Sequence, residues 1–282
     1  MKEIPFGEIK QIELDMLMKI DEFCRKNNIE YFLIGGSAIG AVRHKGFIPW
    51  DDDIDIGMTR PNYERFIHSF QGAYPHLDVF APELDWNFYA TFANVCNNRT
   101  YLIEPITTFH GCKIGVKVDV FPFDGTASDY KTRLKIHRKA RRYIRLLSRK
   151  RRNLKTVWRK NKINFLTTVV VRVLTCFLSY SWLQKRAHYN ATRYVFQESE
   201  YAYDITNCCP SFIWCPRSAF DEYTDMEFEG KKVRMIKGYD IYLSTVFGDY
   251  MKLPPEKDRV PKHDFKAYWL EEGDKISTKR IV

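Results

Sequence analysis

The chain has 282 residues, 45% of them hydrophobic and 28% charged, with a formal net charge of +10. That length and composition allow one large domain or two small ones around a proper core, and they exclude a disordered chain or a disulfide-stapled miniprotein. The seven cysteines (Cys24, Cys96, Cys112, Cys176, Cys208, Cys209 and Cys215) are odd in number and scattered, and Met1-Lys2-Glu3-Ile4-Pro5 carries no apolar leader segment, so a reducing, cytoplasmic setting with free thiols is expected. Cys208, Cys209 and Cys215 could belong to a zinc site, but no C-x-x-C pair or nearby histidine completes one, and buried thiols are the expectation.

In chain order, residues 8–27 read as an amphipathic helix, with Ile9, Ile12, Met16, Ile20 and Phe23 at helical spacing. Tyr31-Phe32-Leu33-Ile34 reads as a short buried strand. After Gly35-Gly36, Ser37 is placed to cap a helix running to about His44. A loop from Lys45 to Trp50 leads into a strand over 53–58, and Thr59-Arg60-Pro61 opens another helix, with Thr59 as its cap. Residues 78–103 read as strands broken at Asn97-Asn98. Ile114 to Phe121 alternates as a strand and is expected to end in the turn Pro122-Phe123-Asp124-Gly125.

From Tyr130 to Gln197 the chain holds 20 of its 45 Lys and Arg and none of its 35 Asp and Glu. An acidic body thus carries a strongly basic insert, which asks for an anionic partner: a membrane surface, nucleic acid or a polyanionic polymer. The insert reads as helical, with Ile136, Ala140, Tyr143, Ile144 and Leu147 on one stripe and Leu154 and Trp158 opening a second. Residues 165–183 are apolar enough to raise the question of a membrane span. Thr168, Arg172, Thr175 and Ser179 draw a polar stripe down that segment, so an interfacial or core-packed helix is expected instead. The tail has turns at Glu229-Gly230, Lys237-Gly238 and Pro254-Pro255. The expected division is 1–129 as catalytic core, 130–197 as basic helical insert and 198–282 as a segment completing the active site.

Trp50-Asp51-Asp52-Asp53-Ile54-Asp55 is the chemically telling run. Carboxylates at i and i+2 of a strand share a face, and like charges this dense repel unless a cation neutralises them. Asp53 and Asp55 are therefore expected to hold a divalent metal. Asp119, which interrupts an apolar strand, is the third acid, as ligand or as base. The Gly35 and Gly36 amides and Ser37 would take phosphate oxygens at the start of a helix. Asp51 is expected on the face of Asp53, with Asp52 pointing the other way; Asp124 is expected to be structural.

The run Gly35-Gly36-Ser37-Ala38-Ile39-Gly40-Ala41-Val42-Arg43-His44-Lys45-Gly46-Phe47-Ile48-Pro49-Trp50-Asp51-Asp52-Asp53-Ile54-Asp55 resembles the signature of the LicD family of phosphocholine transferases, within the nucleotidyltransferase-fold superfamily. Val118 to Gly125 and Phe247 to Pro255 resemble two further family blocks, so the similarity spans both ends of the chain and skips the basic insert. The Ser37-to-Asp53 interval is longer than the general superfamily pattern, as in that signature. The resemblance implies an α+β fold, a mixed sheet flanked by helices. It also implies transfer of phosphocholine from CDP-choline to a sugar hydroxyl, with release of CMP.

On this reading Mg²⁺ or Mn²⁺ would be held by Asp53, Asp55 and Asp119, and Arg43, His44 and Lys45 would neutralise the departing CMP. Trp50 would face the quaternary ammonium, with Trp86, Phe88, Tyr89 and Phe92 as a second aromatic candidate. Arg259 and His263 could reach the nucleotide. Fukutin-type relatives move ribitol phosphate, which makes another CDP-linked alcohol the alternative donor. The implied acceptor is a lipid-linked glycan, of lipopolysaccharide or teichoic-acid type, met by a peripheral protein on the inner face of the membrane through residues 130–197. A nucleic-acid-directed nucleotidyltransferase fits the charge but lacks an RNA-reading signature. A non-catalytic scaffold fails to account for the acids.

Overall fold

The computed structural model describes residues 1–103, 114–206, 213–261 and 265–271. Strand β1 (Lys2–Glu3) precedes α1 (Phe6–Lys26), whose side bearing Ile9, Ile12, Met16, Leu17 and Ile20 enters the main core. Then come β2 (Phe32–Leu33), α2 (Gly35–His44), β3 (Asp55–Thr59), α3 (Arg60–Ser69), β4 (Leu77–Phe80), β5 (Ala93–Asn97), β6 (Thr100–Ile103) and β7 (Lys117–Thr126). Helices α4 (Tyr130–Arg151), α5 (Leu154–Lys160), α6 (Lys162–Leu174) and α7 (Tyr180–Ala191) make up the basic segment. The chain continues through β8 (Tyr201–Tyr203), β9 (Cys215–Pro216), β10 (Tyr223–Phe228), β11 (Lys231–Ile236), α8 (Tyr239–Phe247) and β12 (Lys266–Trp269).

The fold is α+β, as expected. The central sheet runs β2-β3-β7-β5-β4, with β8 and β9 added along the far half of β7. Among the described strands β3 and β7 form the one parallel pair, in the register Asp55↔Asp119 and Thr59↔Phe123. A second, three-stranded sheet, β1-β12-β6, ties the first residues of the chain to the last described ones. The β10–β11 hairpin turns at Glu229 and Gly230, both at positive φ, the primed geometry that suits a two-residue hairpin. The basic segment packs as expected on Ile136, Ala140, Ile144 and Leu147, which are buried; α4 meets α7 through Ile144, Leu147, Leu183 and Ala187.

Several local expectations are corrected. Helix α2 starts at Gly35 with Ile34 at its N-cap, so Ser37 lies inside the first turn and is not the cap. Thr59 does hold the N-cap position of α3, but its hydroxyl accepts from the Asn62 side chain at 3.0 Å and not from a backbone amide. Strand β7 does not turn at Pro122. It runs on to Thr126 because Phe121 and Phe123 are buried and Asp124 is clasped from the side, which outweighs local turn chemistry. The apolar stretch 165–183 is not one helix. Ser179 caps α7 by accepting from the Trp182 amide at 3.1 Å, and Lys150 Nζ holds the carbonyls of Thr175 and Leu178, each at 2.7 Å, in the connection between α6 and α7. Among the described residues no helix is long and apolar enough to cross a membrane.

Candidate active site

The site forms where β3, β7 and the start of α2 converge. Ile34 donates its amide to the Asp55 carbonyl at 3.1 Å, so the glycines follow directly on a residue bonded to the acid strand. Gly35 takes φ +54°, a left-handed conformation that glycine adopts without penalty, and a Cβ there would stand 3.7 Å from Asp55 Oδ2. At Gly36 a Cβ would stand 2.0 Å from Asp51 Oδ2, so the Asp51 carboxylate occupies the space a side chain would need. Ser37 is buried, and its hydroxyl accepts the Asp55 amide at 3.0 Å and reaches the Asp53 carbonyl at 3.5 Å. Ser37 therefore pins the acid strand to the helix. The Gly35 amide donates to Tyr242 Oη from α8 at 3.3 Å, whereas the amides of Gly36 and Ser37 make no hydrogen bond among the described residues. Those two amides are the ones at the positive end of the α2 dipole.

Asp55 and Asp119 are register partners on neighbouring parallel strands, which puts both side chains on one face of the sheet. Burial, then the charges of Asp53 and Asp119, hold the Asp55 carboxyl well above the usual carboxylate range, against the pull of Lys117. Asp119 itself is gripped. Lys117 Nζ lies 2.7 and 2.6 Å from its two oxygens, and Asn94 Nδ2, from the register partner on β5, donates at 2.5 Å.

Because β3 begins only at Asp55, the alternation expected over 51–55 does not apply. Asp52 is buried, and carboxylate oxygens of Asp51, Asp52 and Asp53 lie within 4.8 Å of one another. Asp52 thus turns toward the other acids instead of away from them. The donor chemistry suits a hard divalent cation. The crowding of Asp51 onto Gly36 and the orphaned buried oxygen described next both fit a charge that the chain alone does not balance.

Glu13 is the acid that sequence reasoning passed over. It sits on α1, is 3% exposed, and its Oε2 has no hydrogen-bond partner. Burial, then the charges of Asp53, Asp119 and Asp55, raise its carboxyl well above the ordinary range, with Lys117 opposing. The signal was present: Glu13 stands four residues from Ile9 and from Leu17, on the apolar stripe itself. Asn94 was also missed, although it is a fully buried amide in the apolar strand Ala93–Asn97.

The remaining candidates sit around this centre. Arg43 Nη1 donates to the carbonyls of Tyr250 (2.7 Å) and Lys252 (3.2 Å), tying α2 to the Phe247–Pro255 block; burial and then Arg259 lower its pKa. Lys45 pairs with Glu227 of β10 at 3.7 Å. His44 meets Trp50 edge-on, with centroids 6.4 Å apart, and burial followed by Arg43 lowers its pKa. The Arg259 guanidinium lies over the Trp50 ring at 5.8 Å, so this indole already carries a cation on its face.

The second aromatic group is mostly core. Phe88 and Tyr89 are buried together, Phe92 packs on Phe121 at 4.1 Å, and Trp86 stands edge-on to His188 at 5.2 Å. Tyr89 Oη donates to Asn94 Oδ1 at 2.8 Å, which places it one hydrogen bond behind Asn94. Asp124 is structural, as expected: Arg60 grips it with Nε at 2.7 Å and Nη2 at 2.8 Å, and reaches Glu83 with Nη1 at 2.9 Å. Cys215 is buried; Cys112, Cys208, Cys209 and His263 lie outside the described residues.

A family model described as LicD/FKTN/FKRP, nucleotidyltransferase domain, matches residues 28–147. The chain is 33% identical over 275 residues to a protein of Haemophilus influenzae named lipopolysaccharide cholinephosphotransferase LicD, covering 96% of this chain and 100% of that one. Shorter matches join it to two uncharacterized rickettsial proteins. One, from Rickettsia typhi, is 45% identical over 77 residues (27% of this chain, 24% of the other); one from Rickettsia prowazekii is 52% identical over 50 residues (17% and 19%).

Proposed function

The chain belongs to the LicD family, and from that premise we propose that it transfers phosphocholine from CDP-choline to a sugar hydroxyl of a lipid-linked cell-surface glycan and releases CMP. It is an enzyme of the transferase class. The observation that carries the reading is the convergence of the α2 glycine start with the carboxylates: Gly36 fitted to Asp51, and Asp55 in register with Asp119. The acceptor oxygen bonds to the phosphorus that bears choline. The bond from that phosphorus to the CMP oxygen breaks, and its electron pair leaves with CMP. The hydroxyl proton passes to a carboxylate, for which Asp119, oriented by Asn94 and Lys117, is the assigned base.

The Gly36 and Ser37 amides bind diphosphate oxygens at the helix start. Asp53, Asp55 and Asp119, with Asp51 and Asp52 beside them, would hold Mg²⁺ or Mn²⁺, which would supply positive charge toward the diphosphate and the departing CMP. Trp50, already under Arg259, offers a face for the trimethylammonium. The name of the Haemophilus influenzae relative gives lipopolysaccharide as that protein's acceptor, and a glycan carried by a lipid fits a chain whose residues 130–197 hold no acid. Those residues meet the anionic inner face of the membrane on this reading.

The test is to incubate purified protein and Mg²⁺ with CDP-choline, CDP-ribitol or CTP, each with a lipid-linked glycan extract. CMP released from CDP-choline alone is expected. CMP from CDP-ribitol alone overturns the head group, and pyrophosphate from CTP overturns the reaction class.

A further inference from the structure

Helix α6 has its polarity reversed. A helix on a water-facing surface turns polar residues outward, yet the one buried residue of α6 is Thr168. Thr168 Oγ1 accepts from Arg149 Nη1 at 3.1 Å. On the same inward side the Arg172 guanidinium donates to the carbonyls of Arg149 (3.1 Å), Lys150 (2.6 Å) and Arg152 (2.5 Å) at the end of α4. The outward side carries Ile163, Leu166, Val170, Val173 and Leu174, continued by Phe177 in the following turn; these are 75, 59, 54, 65, 66 and 78% exposed. Their spacing of three and four residues gathers them into one stripe, which is a contiguous face and not scattered surface apolars.

What covers this face is indicated by its surroundings. Lys155, Arg159, Lys160 and Lys162 are exposed at the corner between α5 and α6, and the whole segment 130–197 lacks Asp and Glu. A second copy of the chain would bring two acid-free segments together and repel. Nucleic acid would meet the lysines and leave the apolar stripe in water. A bilayer with anionic headgroups matches both parts at once. Trp158, 49% exposed and edge-on to Phe165 at 4.9 Å, adds the aromatic that favours the headgroup level. Thirteen residues of helix rise about 20 Å, short of a hydrocarbon core of about 30 Å, so the helix lies in the plane of the interface.

We propose that the outward face of α6, with Phe177, inserts among the lipids of an anionic membrane while the neighbouring lysines and arginines hold the headgroups. This rests on the membrane reading above and adds to it an apolar anchor that charge alone does not supply.

The experiment is vesicle co-sedimentation of the full chain, using phosphatidylethanolamine vesicles with and without phosphatidylglycerol. Three proteins are compared: wild type, the triple variant Leu166→Ser/Val170→Ser/Val173→Ser, and Lys155→Gln/Arg159→Gln/Lys160→Gln. All three side chains of the first variant are outside the core, and matched thermal melts check that its fold is kept. The expected result is binding that needs phosphatidylglycerol, falls about tenfold or more in the serine variant and resists added salt more than a purely ionic contact would. A blue shift of Trp fluorescence on vesicle addition, lost in Trp158→Phe, accompanies it. Wild-type protein that ignores anionic vesicles overturns the membrane reading itself. Binding by the serine variant equal to wild type, and abolished by salt, leaves charge-only docking and overturns the apolar anchor. A dimer in solution dissolved by the serine variant, without vesicle binding, overturns it in favour of a second copy.

Discussion

Replacing Asp55 with Asn is expected to make the metal-free protein more stable and, at the same time, inactive. Asp55 and Asp119 are register neighbours, and adjacent strands lie about 4.8 Å apart. Two unit charges at that separation repel by about 3 kcal/mol at an effective dielectric near 20. Lys117, 2.6 Å from Asp119, cancels part of this, which leaves about 1–2 kcal/mol of unfavourable energy, with Asp53 adding to it.

The sign with pH follows from the raised carboxyl. The folded state holds the Asp55 proton more tightly than the unfolded state, so the penalty is absent below the ordinary carboxylate pKa of about 4 and grows as pH rises through the folded-state value. Urea unfolding in EDTA should show Asp55→Asn more stable than wild type by about 1–2 kcal/mol at neutral pH, with the difference vanishing near pH 3. Adding Mg²⁺ should reverse the order, since a cation at about 100 times its Kd adds about 2.7 kcal/mol to the protein that binds it. An Asp55→Asn protein less stable than wild type in EDTA, or an equal Mg²⁺ gain in both, would refute the reasoning.

Gly36→Ala should cut CMP release from CDP-choline by about a hundredfold while the melting temperature holds or rises, because the new Cβ displaces the Asp51 carboxylate from 2.0 Å but suits the helix. Arg60→Met should cost about 3–5 kcal/mol in urea unfolding, by leaving Asp124 and Glu83 buried without their cation. The double variant Arg60→Met/Asp124→Leu should regain much of that loss, and a single-variant cost below about 1 kcal/mol would show that Arg60 does not hold these acids. Burial, with Arg141 helping, pushes His137 down to about 4, so the folded state keeps the ring neutral. Stability is then lost as pH falls from about 6.5 toward 4, by about 1–2 kcal/mol after screening, and His137→Gln should flatten the denaturation midpoint across that window.

The acids were legible because nothing else explains them. A dense aspartate run beside glycines conflicts with strand propensity and with its own repulsion, so Asp53, Asp55 and Asp119 could be singled out from types and spacing. What misled the reading was tertiary. Asp124 looked like part of a turn because Pro122 and Gly125 flank it, whereas distant partners keep that stretch in β7: Arg60, 64 residues earlier, the buried Phe121 and Phe123, and pairing with β8. Ser37 looked like a cap because serine so often is one, while the permissive backbone of Gly35 starts the helix three residues sooner, with Ile34 at the cap. Glu13 was overlooked because the helix was read for its apolar positions alone. Of the polar stripe expected on 165–183, Thr168 and Arg172 share the inward side of α6, while Thr175 and Ser179 lie beyond it at helix ends; the side the stripe faces was not legible, since Arg172 finds its acceptors at the end of α4.

The parallel register of β3 with β7 also has a consequence in time. Asp55 and Asp119 are 64 positions apart in the chain, and α3, β4, β5 and β6 lie between them, so their pairing waits on closure of a long stretch. Until that closure the acids are separate and solvated; at closure they meet and repel. The candidate site is thus expected to assemble late in folding, against its own charge. Refolding should run faster when a divalent cation is present from the start than when it is added afterwards. On the proposed metal reading, an ion bound in the finished site would also be an aid to its making.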